Sequence, residues 1–236
     1  LPTVKKIMEE ESFFHYFQPI YNLCNWKRVG YDVLFRTDCS MNTREAFQMA
    51  MDEEKLYELD TMSIRKAVEY YNQEGFTSFN GLLFLHVFPS TLRHPSFVRF
   101  LKELLHDHNK QEVILEINQW EGIPDYDELQ TPLKNIRALG VKVAIDDFGN
   151  EIAALIEMKP EYIKMEKYMT TNLEHSPEKQ FMIDCINQYS HRFNSKLIVK
   201  GLQSPEELAL TKSLGVSLAQ GDVLYPASKL QEYKLL

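Results

Sequence analysis

At 236 residues, 44% apolar and 25% charged, the chain is long enough to bury a full core, which excludes a disordered tail and a disulfide-stapled peptide. With 26 Lys and Arg against 34 Asp and Glu, its formal charge of −8 gives no general attraction to nucleic-acid polymers, although one small anionic ligand stays compatible. Cys24, Cys39 and Cys185 show no C-x-x-C or metal-finger spacing and read as ordinary buried or half-buried thiols of a reducing cytosol.

No apolar run approaches the roughly 18 residues that span a bilayer, and the first residues lack the apolar core of a secretion signal. A cytoplasmic protein with no membrane segment in this chain is expected. Starting at leucine, it reads as a domain cut from a longer protein.

In chain order, the acidic residues Glu9, Glu10 and Glu11 read as a solvated helix terminus. Apolar β-rich runs follow at 15–21 and 29–36, joined by only about seven residues. A parallel crossover needs about a dozen, so this pair is expected to be antiparallel. Tyr57, Thr61, Ile64, Val68 and Tyr71 mark one face of a long helix. Strands are expected at 82–88, 112–117, 142–146, 161–165, 196–200 and 217–220, mostly apolar rather than alternating, as when both faces are covered. Thr131 with Pro132 and Gly140 bracket one intervening helix; Ser204, Pro205 and Glu207 open another, which Gly215 stops. Eight strands with helices between them predict an α/β fold: a (β/α)8 TIM-like barrel with one antiparallel strand, forming one domain over 1–236. In such barrels the chemistry sits at the carboxyl ends of the strands.

Those ends carry Asp32 with Arg36, His86, Glu116, Asp146 with Asp147, Lys164, Lys200 and Gln220. Singly, each has a bland role: His86 as a hydrogen-bonded core residue, Lys164 or Lys200 with its stem past the barrel and its head in water, Glu116 as a loop cap. Together they mark a site, because a structural network has little reason to place its members at one end of so many strands. Asp146 and Asp147, joined by Asp32 and Glu116, offer the carboxylates that a hard dication or a metal pair requires. The alternative is a set of helix caps and salt bridges, since 147–150 also resembles a turn into a helix.

These residues resemble the EAL domains, which are cyclic di-GMP phosphodiesterases and their degenerate relatives. Q-P-I at 18–20 is similar to the opening motif of the family, and G-Y-D-V-L-F-R at 30–36 to its G-Y-E-A-L-L-R. The run L-F-L-H-V-F-P-S-T-L at 83–92 resembles the strand with the metal-binding asparagine, and L-E-I-N-Q at 115–119 resembles E-x-T-E. D-D-F-G at 146–149, I-K-M-E at 163–166 and Q-G at 220–221 complete an ordered match from 17 to about 226. The resemblance implies Mg or Mn at Asp32, His86, Glu116, Asp146 and Asp147 if the site works. It also implies ligand contacts from Gln18, Arg36 and Gln220, and a homodimer as the common assembly.

The departures weaken the implied metal site. Asp32 replaces the first ligand glutamate, His86 the asparagine, and Gln119 the second acid of E-x-T-E. Lys200 and Gln203 stand where A-E-G-V-E has its two glutamates, and Asn150-Glu151 replaces the small residue and glycine after D-D-F-G. The family pattern carries a local charge of −4; four carboxylates facing Lys164 and Lys200, with His86 neutral, leave −2 here. An ammonium about 4 Å from a dication is opposed by about 8 kcal/mol at an effective dielectric near 20. Lys200 is therefore expected to occupy a vacated cation position and tie down Asp146, Asp147 or Glu116. No resident metal is expected.

Three readings follow from the resemblance. One is a catalytically inert signalling domain acting on an unidentified protein partner, with Lys164, Lys200 and Gln203 vestigial. Another is a non-hydrolysing cyclic di-GMP receptor, with Arg36 forking to a phosphate or, more plainly, paired with Asp38. The third is a weak phosphodiesterase using one metal, for which histidine is an acceptable ligand.

Overall fold

Inward-facing strand residues follow a two-residue rule that builds both the barrel core and its polar mouth. Phe84, Ile114, Ala144, Tyr162 and Ile198 are buried in one apolar cluster with Ile20 and Leu218. Because side chains alternate along a strand, the next residue on the same face lies two positions on. Those residues are His86, Glu116, Asp146, Lys164 and Lys200. One pleat thus separates an apolar plug from a charged rim.

The computed structural model describes residues 3–38, 41–74, 81–107, 112–118, 120–122, 125–148 and 152–235. Cys39, Gln119, Gly149, Asn150 and Glu151, on which several sequence expectations rest, lie outside them. The strands are β1 (Phe13–Asn22), β2 (Arg28–Thr37), β3 (Leu82–Val87), β4 (Glu112–Ile117), β5 (Lys142–Phe148), β6 (Tyr162–Met165), β7 (Lys196–Val199) and β8 (Leu218–Ala219). They close in sequence order into a barrel. β1 runs antiparallel to both β2 and β8, and every other neighbouring pair is parallel. The eight-stranded barrel and its one reversed strand match the sequence expectation.

The helices are α1 (Val4–Glu9), α2 (Thr43–Asp52), α3 (Leu56–Gln73), α4 (Pro89–Arg93), α5 (Phe97–Asp107), α6 (Asp127–Arg137), α7 (Ile152–Met158), α8 (Pro177–Arg192) and α9 (Pro205–Ser213). They pack on the outward faces of the strands around a larger apolar core. In α3, Thr61, Ile64, Val68 and Tyr71 are buried along the expected stripe. α9 opens with the full capping box, the Ser204 side chain accepting from Glu207 N and the Glu207 carboxylate from Ser204 N.

Three expectations need correction. α6 starts at Asp127 and carries Pro132 inside it, rather than starting at Pro132. Asp125 Oδ1 accepts the Asp127 N–H at 2.8 Å, and Asp127 and Glu128 complement the helix dipole, so the first turn forms ahead of the proline. Cys24 is exposed, because it sits in the turn between β1 and β2. Glu11 is not simply solvated: its carboxylate lies 3.2 Å from Lys66 Nζ.

Strand β2 approaches β3 closely at Gly30, where an added Cβ would lie 2.2 Å from the Leu82 carbonyl oxygen. Replacing Gly30 with alanine should therefore cost about 1–3 kcal/mol, as overpacking of a closed core does. Urea unfolding checks this: the midpoint should fall with an unchanged m-value.

Candidate functional site

The antiparallel register of β1 and β2 sets Gln18 directly opposite Asp32. The parallel register of β3 and β4 sets His86 beside Glu116. A register shift in β5 between Ile145 and Phe148 brings Asp146 and Asp147 together at the rim, as bulges often do when they redirect side chains. Asp147 takes a left-handed φ of 48°, which a short polar side chain tolerates. Its N–H donates to Asp146 Oδ1 at 2.8 Å.

Two lysines bind these carboxylates. Lys164, with no exposed surface, donates to Asp32 Oδ2 and Glu116 Oε2, both at 2.6 Å. Its stem does not carry the head into water, and Glu116 caps no loop. Lys200 Nζ lies 2.5 Å from Asp146 Oδ1 and 2.5 Å from Asp147 Oδ1. His86 sits between the two groups, with Nε2 at 3.4 Å from Asp32 Oδ1 and Nδ1 at 3.6 Å from Asp146 Oδ2. Gln220 donates to Asp32 Oδ2 at 2.8 Å and to Gln18 Oε1 at 3.1 Å.

The electrostatics follow from burial and these partners. Burial opposes the charge of Lys164, yet Asp32 and Glu116 hold its pKa above the usual lysine range. Burial likewise works against Lys200, but Asp146 and Asp147 push its pKa well up. Burial would raise the Asp32 pKa, but Lys164 and His86 hold it well below the carboxylate range. Asp146 is lowered in the same way, burial being outweighed by Lys200 and His86. Glu116 is raised to about 8 by burial and the charge of Asp146, against the pull of Lys164. For His86, burial is outweighed by Glu116, Asp32 and Asp146, and its pKa rises to about 9.

These carboxylates favour the charged imidazolium of His86, where the sequence suggested a neutral ring. Lys164, Lys200 and His86 then face Asp32, Glu116, Asp146 and Asp147, so three basic groups offset most of the charge of four carboxylates. The mouth is close to neutral without a divalent ion.

These residues do not fit a metal pair. Lys200 holds one oxygen of each adjacent aspartate, and Lys164 holds one oxygen each of Asp32 and Glu116. Asp32 Oδ1 and Glu116 Oε1 stay buried without a hydrogen-bond partner, and Asp32, His86 and Glu116 offer ligand atoms within 4.8 Å of one another. That donor set suits one ion at most, and only after His86 gives up its proton.

Two cavities open beside this network. One, of about 240 Å³, lies where the pairing of β2 with β3 stops after Val33 and Leu85. Phe35, Phe47 and Phe88 wall it, exposed Trp120 and half-buried Arg36 stand at its outer end, and His15, Asp60 and Ser63 are buried deeper. Arg36 donates to Phe35 O at 2.8 Å and lies over the Tyr16 ring rather than pairing with Asp38. The other, of about 280 Å³, is polar and lined by Gln18, Asp147, Lys167, Lys200, Gln203 and Gln220. Sequence reasoning missed Asp60, which is buried in α3 beside the stripe of Thr61, Ile64 and Val68. The signal was there: an aspartate in step with buried Ile64 and Ala67.

Fold and rim together define a closed eight-stranded barrel with one reversed strand, whose mouth carboxylates are held by lysines. A family model described as "EAL domain" matches residues 3–227, and the chain belongs to that family. It is 26% identical over 220 residues to the blue light- and temperature-regulated antirepressor BluF of Escherichia coli, covering 91% of this chain and 54% of BluF. It is 23% identical to the cyclic di-GMP phosphodiesterase TpdA of Vibrio parahaemolyticus, covering 89% of this chain and 36% of TpdA. The chain thus spans about half, or less, of these curated relatives. Among solved structures, the Xanthomonas citri FimX EAL domain in complex with c-diGMP superposes with a TM-score of 0.85 at 17% identity, covering 96% of this chain and 92% of that one. Klebsiella pneumoniae BlrP1, in a manganese and cyclic di-GMP complex, gives 0.80 at 24% identity, covering 89% and 54%. Among the described residues no helix is long and apolar enough to cross a membrane.

Asp60 supplies a prediction. Burial raises its pKa to about 7, against the hydrogen bond from Phe88 N. Between about pH 4 and 7 the folded state then holds a proton that the unfolded state releases, so this group's contribution falls as pH rises. Asp60→Asn removes the effect. The stability of the variant relative to wild type should climb by up to about 1.4 kcal/mol per pH unit across that window. Urea melts at each pH measure it, and a flat difference contradicts the assignment.

Proposed function

We propose that this chain is a regulatory EAL domain that does not hydrolyse cyclic di-GMP and serves as a metal-independent receptor for it. The observation that carries the reading is Lys200 Nζ at 2.5 Å from both Asp146 and Asp147. Two-metal hydrolysis of a phosphodiester needs those carboxylates to hold cations that clamp the attacking and leaving oxygens and lower the pKa of water. Here an ammonium holds them, and an ammonium can do neither.

Retained binding is supported by the two cavities. The aromatic walls of the first suit a planar base, and the Asp60 carboxylate can accept from a purine ring N–H and exocyclic amine. Arg36 at its outer end has guanidinium N–H groups for a phosphate. Gln18, Gln203 and Gln220 in the second cavity offer amides to the other half of a dinucleotide. BluF is an antirepressor by name, and carried over to this chain that supports an output through a protein partner.

A weak one-metal phosphodiesterase is the second reading, favoured by the convergence of Asp32, His86 and Glu116. Incubating the chain with cyclic di-GMP and either magnesium or manganese separates the two by chromatography of the linear product. No product above the uncatalysed background is expected, and steady turnover would overturn the proposal. Lys200→Glu should raise manganese affinity at least tenfold in calorimetry, because it returns two aspartates and adds a third carboxylate. Unchanged affinity would place the block at Asp32 or His86 instead.

A further inference from the structure

We infer that His15 and Ser63 form a recognition pair at the deep end of the cavity beneath α3, hydrogen-bonding the edge of the base it takes. The inference rests on the receptor reading above and adds residues which that reading does not use. His15 lies on β1, three residues before Gln18, with Phe35 as its cross-strand partner and α3 beside it. Its Nε2 meets Ser63 Oγ at 3.0 Å, and both side chains line the cavity while staying largely buried, His15 at 4% exposure.

A core pair would account for one ring nitrogen only. The bond to Ser63 engages Nε2, and the ring lines the cavity, which leaves Nδ1 for a ligand. Burial, followed by the charges of Lys66 and His86, lowers the His15 pKa to about 3, so the imidazole is neutral. A neutral ring whose Nε2 exchanges a hydrogen bond with a hydroxyl keeps Nδ1 as either acceptor or donor, according to tautomer. The neighbouring wall of Val33, Ile64, Ala67 and Leu85 is apolar, so the His15–Ser63 pair sets a polar edge against an apolar surface.

Asp60 lies one turn before Ser63 on α3, and its Oδ2 already accepts the Phe88 N–H at 3.0 Å. Its carboxylate, the Ser63 hydroxyl and the His15 ring bring three polar groups to the α3 side of the cavity, among Val33, Phe35, Phe47, Ile64, Ala67 and Leu85. Flat apolar faces with polar groups at one end match a purine better than a sugar, which is polar all round, or a hydrocarbon, which offers no hydrogen bonds.

The test follows the imidazole nitrogens of His15 in the ¹⁵N-labelled chain as cyclic di-GMP is added, with binding measured in parallel by calorimetry in chelator. At saturation the Nδ1 resonance should move while Nε2 stays near its free position. His15→Leu and Ser63→Ala should each weaken binding about tenfold. Should His15→Leu fail to fold, Ser63→Ala and the resonance of the unaltered chain decide. Resonances that stay put at saturation, or variants that bind as tightly as wild type, overturn the pair. If the chain binds no dinucleotide, the pair and the receptor reading both fall while non-hydrolysis stands; if linear product appears, non-hydrolysis falls whatever His15 does.

Discussion

An ammonium group carries one positive charge and three donors, and at the mouth of this barrel it stands between two adjacent carboxylates. The contact of Lys200 with Asp146 and Asp147 governs the chemistry of the rim. Adjacent aspartates on one bulged strand repel each other unless a cation lies between them. A divalent ion would answer that need and also activate water. Lysine answers the same need without the second ability.

The rest of the mouth is arranged around this choice. Lys164 bridges Asp32 and Glu116 in a fully buried position, and His86 lies between the two lysine-bound groups. Breaking a buried pair by removing one partner typically costs about 3–5 kcal/mol, so the network resists rearrangement one residue at a time. Its near neutrality leaves little electrostatic attraction for added cations. Beside it, the opening between β2 and β3 gives a cavity with aromatic walls, which meets the network at His86 and Asp146 and carries His15, Asp60 and Ser63 as polar groups outside it. The aromatic walls of that cavity carry no metal-ligating group, so contact with a flat ring and contact with a metal would draw on different side chains.

Much of this was legible before any coordinates. The short link between 22 and 28 dictated an antiparallel first pair, and the eight apolar runs dictated closure. Charged residues two positions beyond inward apolar ones, as in Tyr162 to Lys164 or Ile198 to Lys200, placed the rim. The charge of His86 was not legible, because it depends on three carboxylates that arrive from other strands. The start of α6 was missed because proline is usually read as a first helical residue, whereas Asp125 and Asp127 open that helix earlier. The cavity beneath α3 was missed as well, since it arises where two strands stop pairing, which no local pattern encodes.

Manganese electron paramagnetic resonance on the unaltered chain tests the central claim most directly, because a bridged pair of ions gives a spin-coupled signal that isolated ions do not. With Lys200 holding Asp146 and Asp147, titration should show only free or weakly bound manganese and no coupled pair. A coupled signal saturating at two ions per chain would contradict the account.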